Sequence, residues 1–365
     1  MLSYPIQIKP DNAVKEIAEI NRKITKGLES LSNLKDDDIK IGTTPKETVY
    51  KEDKLRLHHY LPVVDHPHKT PLLISYALVN RYLVADLQEN RSLIRNLLNQ
   101  GIDVYLIEWG DPAPQDRYLT LDDYVNGYLN NCVDVIRERH GIDKINLFGI
   151  CQGGTMATCF SALYPEKVQT LTLTVTPIDF HAALDEQNPE VGLLFKWVQA
   201  TDVDLLVEAY GNVPSEVLNF SFLMVKPFAL NFGKYADMIE MLDNEVALIN
   251  FLRMEKWLFD GPDCAGEAYR EFVKDFIKDN KLVKNQVVIG GKKVDLGNVT
   301  MPVYNVYAAY DHLVPPPCTV ALGKHVGSDD YTELKIPSGH IGIYVGGKAQ
   351  KMLAPSVAEW LKERS

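Results

Sequence analysis

Residues 144–154 read KINLFGICQGG. An apolar run broken only by Asn146 ends on Gly149-Ile150-Cys151-Gln152-Gly153-Gly154, and a short apolar helical segment, Gly153–Tyr164, follows. A strand that turns sharply into a helix through G-x-S-x-G is a nucleophile elbow, here with Cys in place of Ser. The flanking glycines fit because a side chain would collide with neighbouring backbone in so tight a turn. The helix N-terminus favours a thiolate through its dipole. The Gln152 backbone N–H then points at the oxygen of any acyl group on Cys151. The uncharged run from Ile145 to Pro165 is 21 residues, formally enough to span a bilayer. Asn146, Gln152 and three glycines in its first half favour strand, turn and helix instead.

On either side of this stretch, strand-like runs recur at PLLISYAL (71–78), DVYLIEW (103–109) and VQTLTLTVTPID (168–179). Helical segments lie between them. Ser92–Gly101 ends on a glycine stop, and Leu121–His140 carries Leu121, Tyr124, Val125, Tyr128, Cys132, Val135 and Ile136 on one face. Apolar strands alternating with helices predict an α/β fold with a mostly parallel sheet covered on both faces. The pattern stops near residue 181 and resumes at Met301, with PVYNVYAAYD (302–311), TELKIP (332–337) and a closing helix over Lys348–Glu363. The interval is helix-rich, with many aromatic and Met residues and one hairpin signal, VVIGGKKV, turning at Gly290-Gly291. We read four segments. They are an N-terminal helical arm (1–45), a first core part (46–180), a cap insertion (181–300) and a second core part (301–365). In the arm, Val14, Ile17, Ile20, Ile24, Leu28 and Leu31 recur at helical spacing over 11–32. That stripe either docks on its own chain or meets a partner or an apolar phase.

Composition bounds the function. The 365 residues are 46% apolar and 24% charged, which excludes disordered and fibrous classes. With 38 Lys+Arg against 49 Asp+Glu, the net charge of -11 offers no bulk nucleic-acid surface. Five Cys (132, 151, 159, 264, 318) is an odd count in a long chain and points to a reducing compartment. MLSYPIQIKPDNAVKEI lacks the basic-then-apolar order of a signal peptide.

In the elbow fold a nucleophile precedes an acid and then a His. Asp311 stands after a strand in AAYDHLVPP, and His340 follows the last strand in PSGHIGIYVGG. Cys151, Asp311 and His340 are therefore the expected triad, at strand ends where α/β sites form. The other chemistry-bearing groups read as structural. His58, His59, His66 and His68 in LHHYLPVVDHPH fit no standard zinc spacing. His312 reads as local structure, and Cys132, Cys159, Cys264 and Cys318 as packing. Lys292-Lys293 lacks the context of a phosphate loop. Trp257 is open between surface recognition and packing. No cofactor or metal is expected.

Long segments resemble the polyhydroxyalkanoate synthases, specifically the catalytic subunit of the short class III type. They are TPKETVYKEDKL, YALVNR, DLQENRSLI, DVYLIEWG, LTLDDYVNGY, NLFGICQGGT, TPIDF, FLRMEKWLFD, AGEAYREF, YDHLVPP and SGHIGIYVGGKAQK. Tyr82-Leu83 departs from the family pattern, which often has Pro after the Arg of YALVNR. The resemblance implies an α/β-hydrolase fold and polymerisation of (R)-3-hydroxyacyl-CoA, short-chain 3-hydroxybutyryl-CoA above all, with release of CoA. It implies Cys151 as the acylated nucleophile and His340 as its base. Asp311 either orients His340 or acts on the monomer hydroxyl. The second oxyanion donor falls at Val79 or Asn80, beside Gln152. It further implies a second, non-catalytic subunit, a homodimer, and a cytoplasmic place at the surface of polyester granules. A Cys-dependent hydrolase of the dienelactone-hydrolase kind, and a non-catalytic granule-surface protein, are the rival readings. Against the first stands the long insertion; against the second, an intact triad.

Overall fold

The computed structural model describes residues 10–184 and 191–364. The opening nonapeptide and the side chains of Ile20 and Leu28 lie outside the described residues. The chain forms two compact units, one of Met1–Ile41 with Lys226–Lys256, the other of Gly42–Val225 with Trp257–Ser365.

The larger unit is built on an eight-stranded sheet. Its strands are β1 (Lys46–Glu52), β2 (Leu55–Tyr60), β3 (Leu72–Ser75), β4 (Val104–Glu108), β5 (Ile145–Ile150), β6 (Val168–Thr174), β7 (Val303–Ala308) and β8 (Tyr331–Ile336). Their order is β1-β2-β4-β3-β5-β6-β7-β8. The β1–β2 and β2–β4 pairs are antiparallel and the others parallel. Every residue of β3 and β5 is buried, as a strand covered on both faces requires. β1 and β8, the edges, alternate with charge, which keeps an open edge from pairing with another chain. The parallel register sets Ser75 beside Gly149, Ile150 beside Thr174, Thr174 beside Val306 and Ala308 beside Ile336. The chain therefore leaves five neighbouring strands at one end of the sheet, where the loops carrying 76–81, Cys151, Asp311 and His340 emerge.

The strands and most helices fall where expected, but the closing helix expected over 348–363 is split into Gly347–Gln350 and Leu353–Lys362, and two further features were not expected. The β1–β2 hairpin was not among the predicted strands. Its sequence mixes charge with apolar residues, and the turn uses Asp53 at φ 50°. The predicted helix over 121–140 opens as a π-helical turn, Asp123–Leu129, and continues as Asn130–His140. The uncharged run of 145–165 is β5, the elbow and the helix Gln152–Leu163, and no described helix is long and apolar enough to cross a membrane. That helix is buried along nearly its whole length, which explains its lack of a polar face.

Residues between β6 and β7 are shared by the two units. Within the larger unit, Phe180, Phe195, Phe272 and Phe276 form one aromatic cluster, the last two stacked at 4.9 Å. Gly290 and Gly291 turn the predicted hairpin, Val288–Ile289 with Lys292–Lys293, at φ 57° and 73°. Within the smaller unit, the helix Pro10–Asn33 packs on the helix Lys234–Met241 and the residues after it. Lys23 pairs with Glu240, and Lys26 donates to the Asp243 carbonyl. A Cβ on Gly27 would meet the Leu242 side chain at 2.5 Å. Val14 and Ile17 of the arm's stripe stay exposed.

Candidate active site

Cys151 adopts φ 52°, ψ -126°, a conformation that costs a non-glycine residue about 1–3 kcal/mol. The surrounding hydrogen bonds hold it there. Its N–H donates to the Thr174 carbonyl (3.0 Å), and its own carbonyl accepts from Gly154 (2.9 Å) and Thr155 (3.3 Å). Thr174 ends β6, so the elbow is locked to the neighbouring strand. The glycines are needed for space. A Cβ on Gly153 would stand 2.4–2.5 Å from Ser75 and Tyr76 backbone atoms, and one on Gly154 would stand 1.9 Å from Thr176 Oγ1. Gly153→Ala is expected to cost about 1–3 kcal/mol, because backbone rather than a flexible side chain must give way. Thermal melting beside Gly127→Ala, where nothing lies within 4 Å of the added carbon, checks this.

Asp311 and His340 meet at the end of β7 and β8. His340 Nδ1 donates to Asp311 Oδ2 at 2.7 Å, and both side chains are buried. Asp311 Oδ1 accepts the N–H groups of Leu313 and Val314, each at 2.9 Å. The Cys151 sulfur acts on the same imidazole electrostatically. Burial alone would disfavour charge on that ring. The Asp311 carboxylate with its hydrogen bond, and the Cys151 sulfur, outweigh it, so His340 is raised to about 10 and holds its proton. The structure thus brings the three expected residues to one end of the sheet, with His340 and Asp311 hydrogen-bonded and Cys151 acting on the same ring. His312 is half-buried beside Asp311.

The other four cysteines are buried and free. Burial pushes Cys159, Cys264 and Cys318 up to about 12 and Cys132 higher still.

The expected oxyanion residues lie around the elbow. Gln152 opens its helix, where a backbone N–H has no intrahelical partner. Its side chain does something the sequence did not signal. Oε1 accepts the Leu78 N–H at 2.9 Å and so ties the loop after β3 to the elbow. Val79 and Asn80 follow in that loop, with Asn80 at φ 62°. Tyr344, four residues beyond His340, is a second tie that sequence reasoning missed. Its hydroxyl bonds Thr174 Oγ1 at 2.7 Å, on the residue whose carbonyl holds the Cys151 N–H.

The remaining candidates separate from the site. His58 on β2 bonds Glu108 (2.7 Å), and His59 bonds Asp103 (2.7 Å). His68 lies near the Thr70 carbonyl. Trp257 is buried, and its indole N–H donates to the Arg81 carbonyl at 2.7 Å, so it does not face solvent as a surface recognition residue.

Strand order, elbow and strand-end loops are those of the α/β hydrolases, and residues 71–346 match that fold family. A monoacylglycerol lipase from Paleococcus ferrophilus is similar in structure. It shares 15% identity at a TM-score of 0.52, with 86% of this chain and all of that one covered, a likeness of fold alone. Residues 8–97 match the family described as the poly-beta-hydroxybutyrate polymerase (PhaC) N-terminus. The "Poly(3-hydroxyalkanoate) polymerase subunit PhaC" of Synechocystis sp. is 50% identical over 365 residues, covering 100% of this chain and 96% of the relative. That of Allochromatium vinosum is 51% identical over 363 residues, covering 99% and 100%. The chain belongs to this poly(3-hydroxyalkanoate) polymerase family, whose members are acyltransferases.

Proposed function

We propose that the chain polymerises (R)-3-hydroxyacyl-CoA, with 3-hydroxybutyryl-CoA as its monomer, through a covalent acyl-Cys151. The Cys151–His340–Asp311 row on a strained elbow carries this reading. The Cys151 sulfur attacks the thioester carbonyl carbon. The carbon–sulfur bond to CoA breaks, and the proton on His340 passes to the departing CoA thiolate. One thioester replaces another, so the step is nearly balanced in energy. In elongation, neutral His340 takes the proton of an incoming 3-hydroxyl. That oxygen attacks the acyl carbon, an ester bond forms, and Cys151 leaves with the proton returned by the ring. The Gln152 N–H and one from Val79 or Asn80 hold the oxyanion of both steps.

Asp311 acts here by orienting His340. Both its oxygens are engaged, one by the imidazole and the other by two backbone N–H groups, which supports orientation over direct attack on a monomer proton. The acyl-enzyme must outlive the wait for a second hydroxyl, so water has to be kept from Cys151. Incubation with 3-hydroxybutyryl-CoA, following CoA release and an insoluble polyester, tests the proposal. Free 3-hydroxy acid without polymer would indicate a hydrolase, and no CoA release a non-catalytic protein.

The chain works with a second, non-catalytic subunit, as a homodimer, in the cytoplasm at the granule surface. The "subunit" in the relatives' names and the exposed Val14, Ile17, Phe228 and Phe232 of the smaller unit support this. The isolated chain is expected to polymerise slowly after a lag, and the second subunit or an oligomer primer to shorten it. Full-rate polymerisation without a lag, with no second subunit co-purifying, would show the chain to be self-sufficient.

A further inference from the structure

The loop after β3 is tied down more heavily than its length requires. Its Tyr76 carbonyl accepts the Trp109 indole N–H at 2.9 Å, and its Leu78 N–H is held by Gln152. Asn80 then enters the left-handed region at φ 62°, which Asn tolerates better than most non-glycine residues. The next residue fixes where that turn leads. The Arg81 carbonyl accepts the N–H of buried Trp257 at 2.7 Å. The Arg81 guanidinium forks onto both oxygens of Asp111 at 2.9 and 3.1 Å. Its Nε stands 3.1 Å from Asp260 Oδ2. Tyr82, where the family often has Pro, adds a hydrogen bond from Lys46 to its hydroxyl.

The anchors are themselves fixed. Asp111 follows β4, and its carbonyl accepts from Lys54 at 3.0 Å. The segment 257–264 is pinned where Cys264 bridges Val213 and Asp263 accepts the Ser215 N–H at 3.0 Å. Gly261 packs against Asn80, since a Cβ there would lie 3.4 Å from Asn80 Oδ1. A planar fork and an indole N–H are directional groups, which fix an orientation as well as a distance.

We propose that Arg81 and Trp257 are positioning residues, which hold Asn80 in its left-handed conformation and so aim the Val79–Asn80 backbone N–H groups at the acyl oxygen on Cys151. This rests on the reading of residues 79–80 as oxyanion donors. Preorganised donors act only where negative charge develops on a carbonyl oxygen. Loosening the tethers therefore slows attack on a thioester and leaves untouched a reaction of the same thiol that forms no oxyanion.

Two reactions of Cys151 test this. One is the single-turnover burst of CoA from 3-hydroxybutyryl-CoA, the other alkylation by iodoacetamide, which displaces iodide without an oxyanion. Trp257→Phe keeps an aromatic ring and loses the N–H. Arg81→Lys keeps the charge and loses the fork. An Asp111→Asn/Asp260→Asn double variant changes exposed carboxylates only. Each is expected to slow the burst about 10- to 100-fold, less than deletion of an oxyanion donor. Alkylation should stay within about twofold of the unsubstituted chain, because it needs no aligned donor. An unchanged burst, or a parallel fall in alkylation, overturns the proposal. A missing burst in the unsubstituted chain overturns the polymerase reading and this inference with it.

Discussion

Cys151→Ala is expected to abolish CoA release, and a thiol reagent to label Cys151 ahead of the other four cysteines. The contrast is physical. Cys132, Cys159, Cys264 and Cys318 are buried, and burial raises every one of them. Cys151 is partly accessible, sits at a helix N-terminus and acts electrostatically on an imidazole that holds its proton. Cys151→Ser should keep the elbow and still lose several orders of magnitude, because a hydroxyl is far less acidic than a thiol of about 8.5. Peptide mapping of the labelled chain checks the order. Preferential labelling of Cys159 or Cys318 would move the nucleophile elsewhere.

Asp311→Asn and His340→Gln should both fail at the first acylation of Cys151. His340→Gln removes the group that exchanges protons with the thiol and with CoA. Asp311→Asn leaves the ring in place but removes the acceptor that fixes its tautomer. In an ordinary triad that change costs about 10⁴-fold. A single-turnover measurement trapping the acyl-enzyme separates the two possible roles of Asp311. Should the Asn variant acylate at the normal rate and stall only in elongation, Asp311 acts on the monomer hydroxyl. The two variants combined should lose little more than either alone, since the pair works as one unit.

Much of this was readable from residue order. The parallel sheet showed in its apolar runs, because strands buried on both faces have no polar alternation to hide them. The elbow showed because only glycine fits where Gly153 meets the Ser75 and Tyr76 backbone. The β1–β2 hairpin escaped because an edge strand carries charge and resembles a loop. Trp257 escaped because a single aromatic residue reads the same whether it faces solvent or donates to Arg81.

Residue types and their order along the chain were enough for the fold class and for proposing a nucleophile and a Cys–Asp–His succession. Each depends on local periodicity, or on a turn that one residue type alone can make. The partners of those residues came from folding. Asp311 and His340 are 29 positions apart, and only the β7–β8 register sets them 2.7 Å from one another. Tyr344 reaches Thr174 across 170 positions, Leu78 reaches Gln152 across 74, and Trp257 reaches Arg81 across 176. A hydrogen bond is a matter of ångströms in space, and no spacing along the chain encodes it until the sheet has brought the strand ends together.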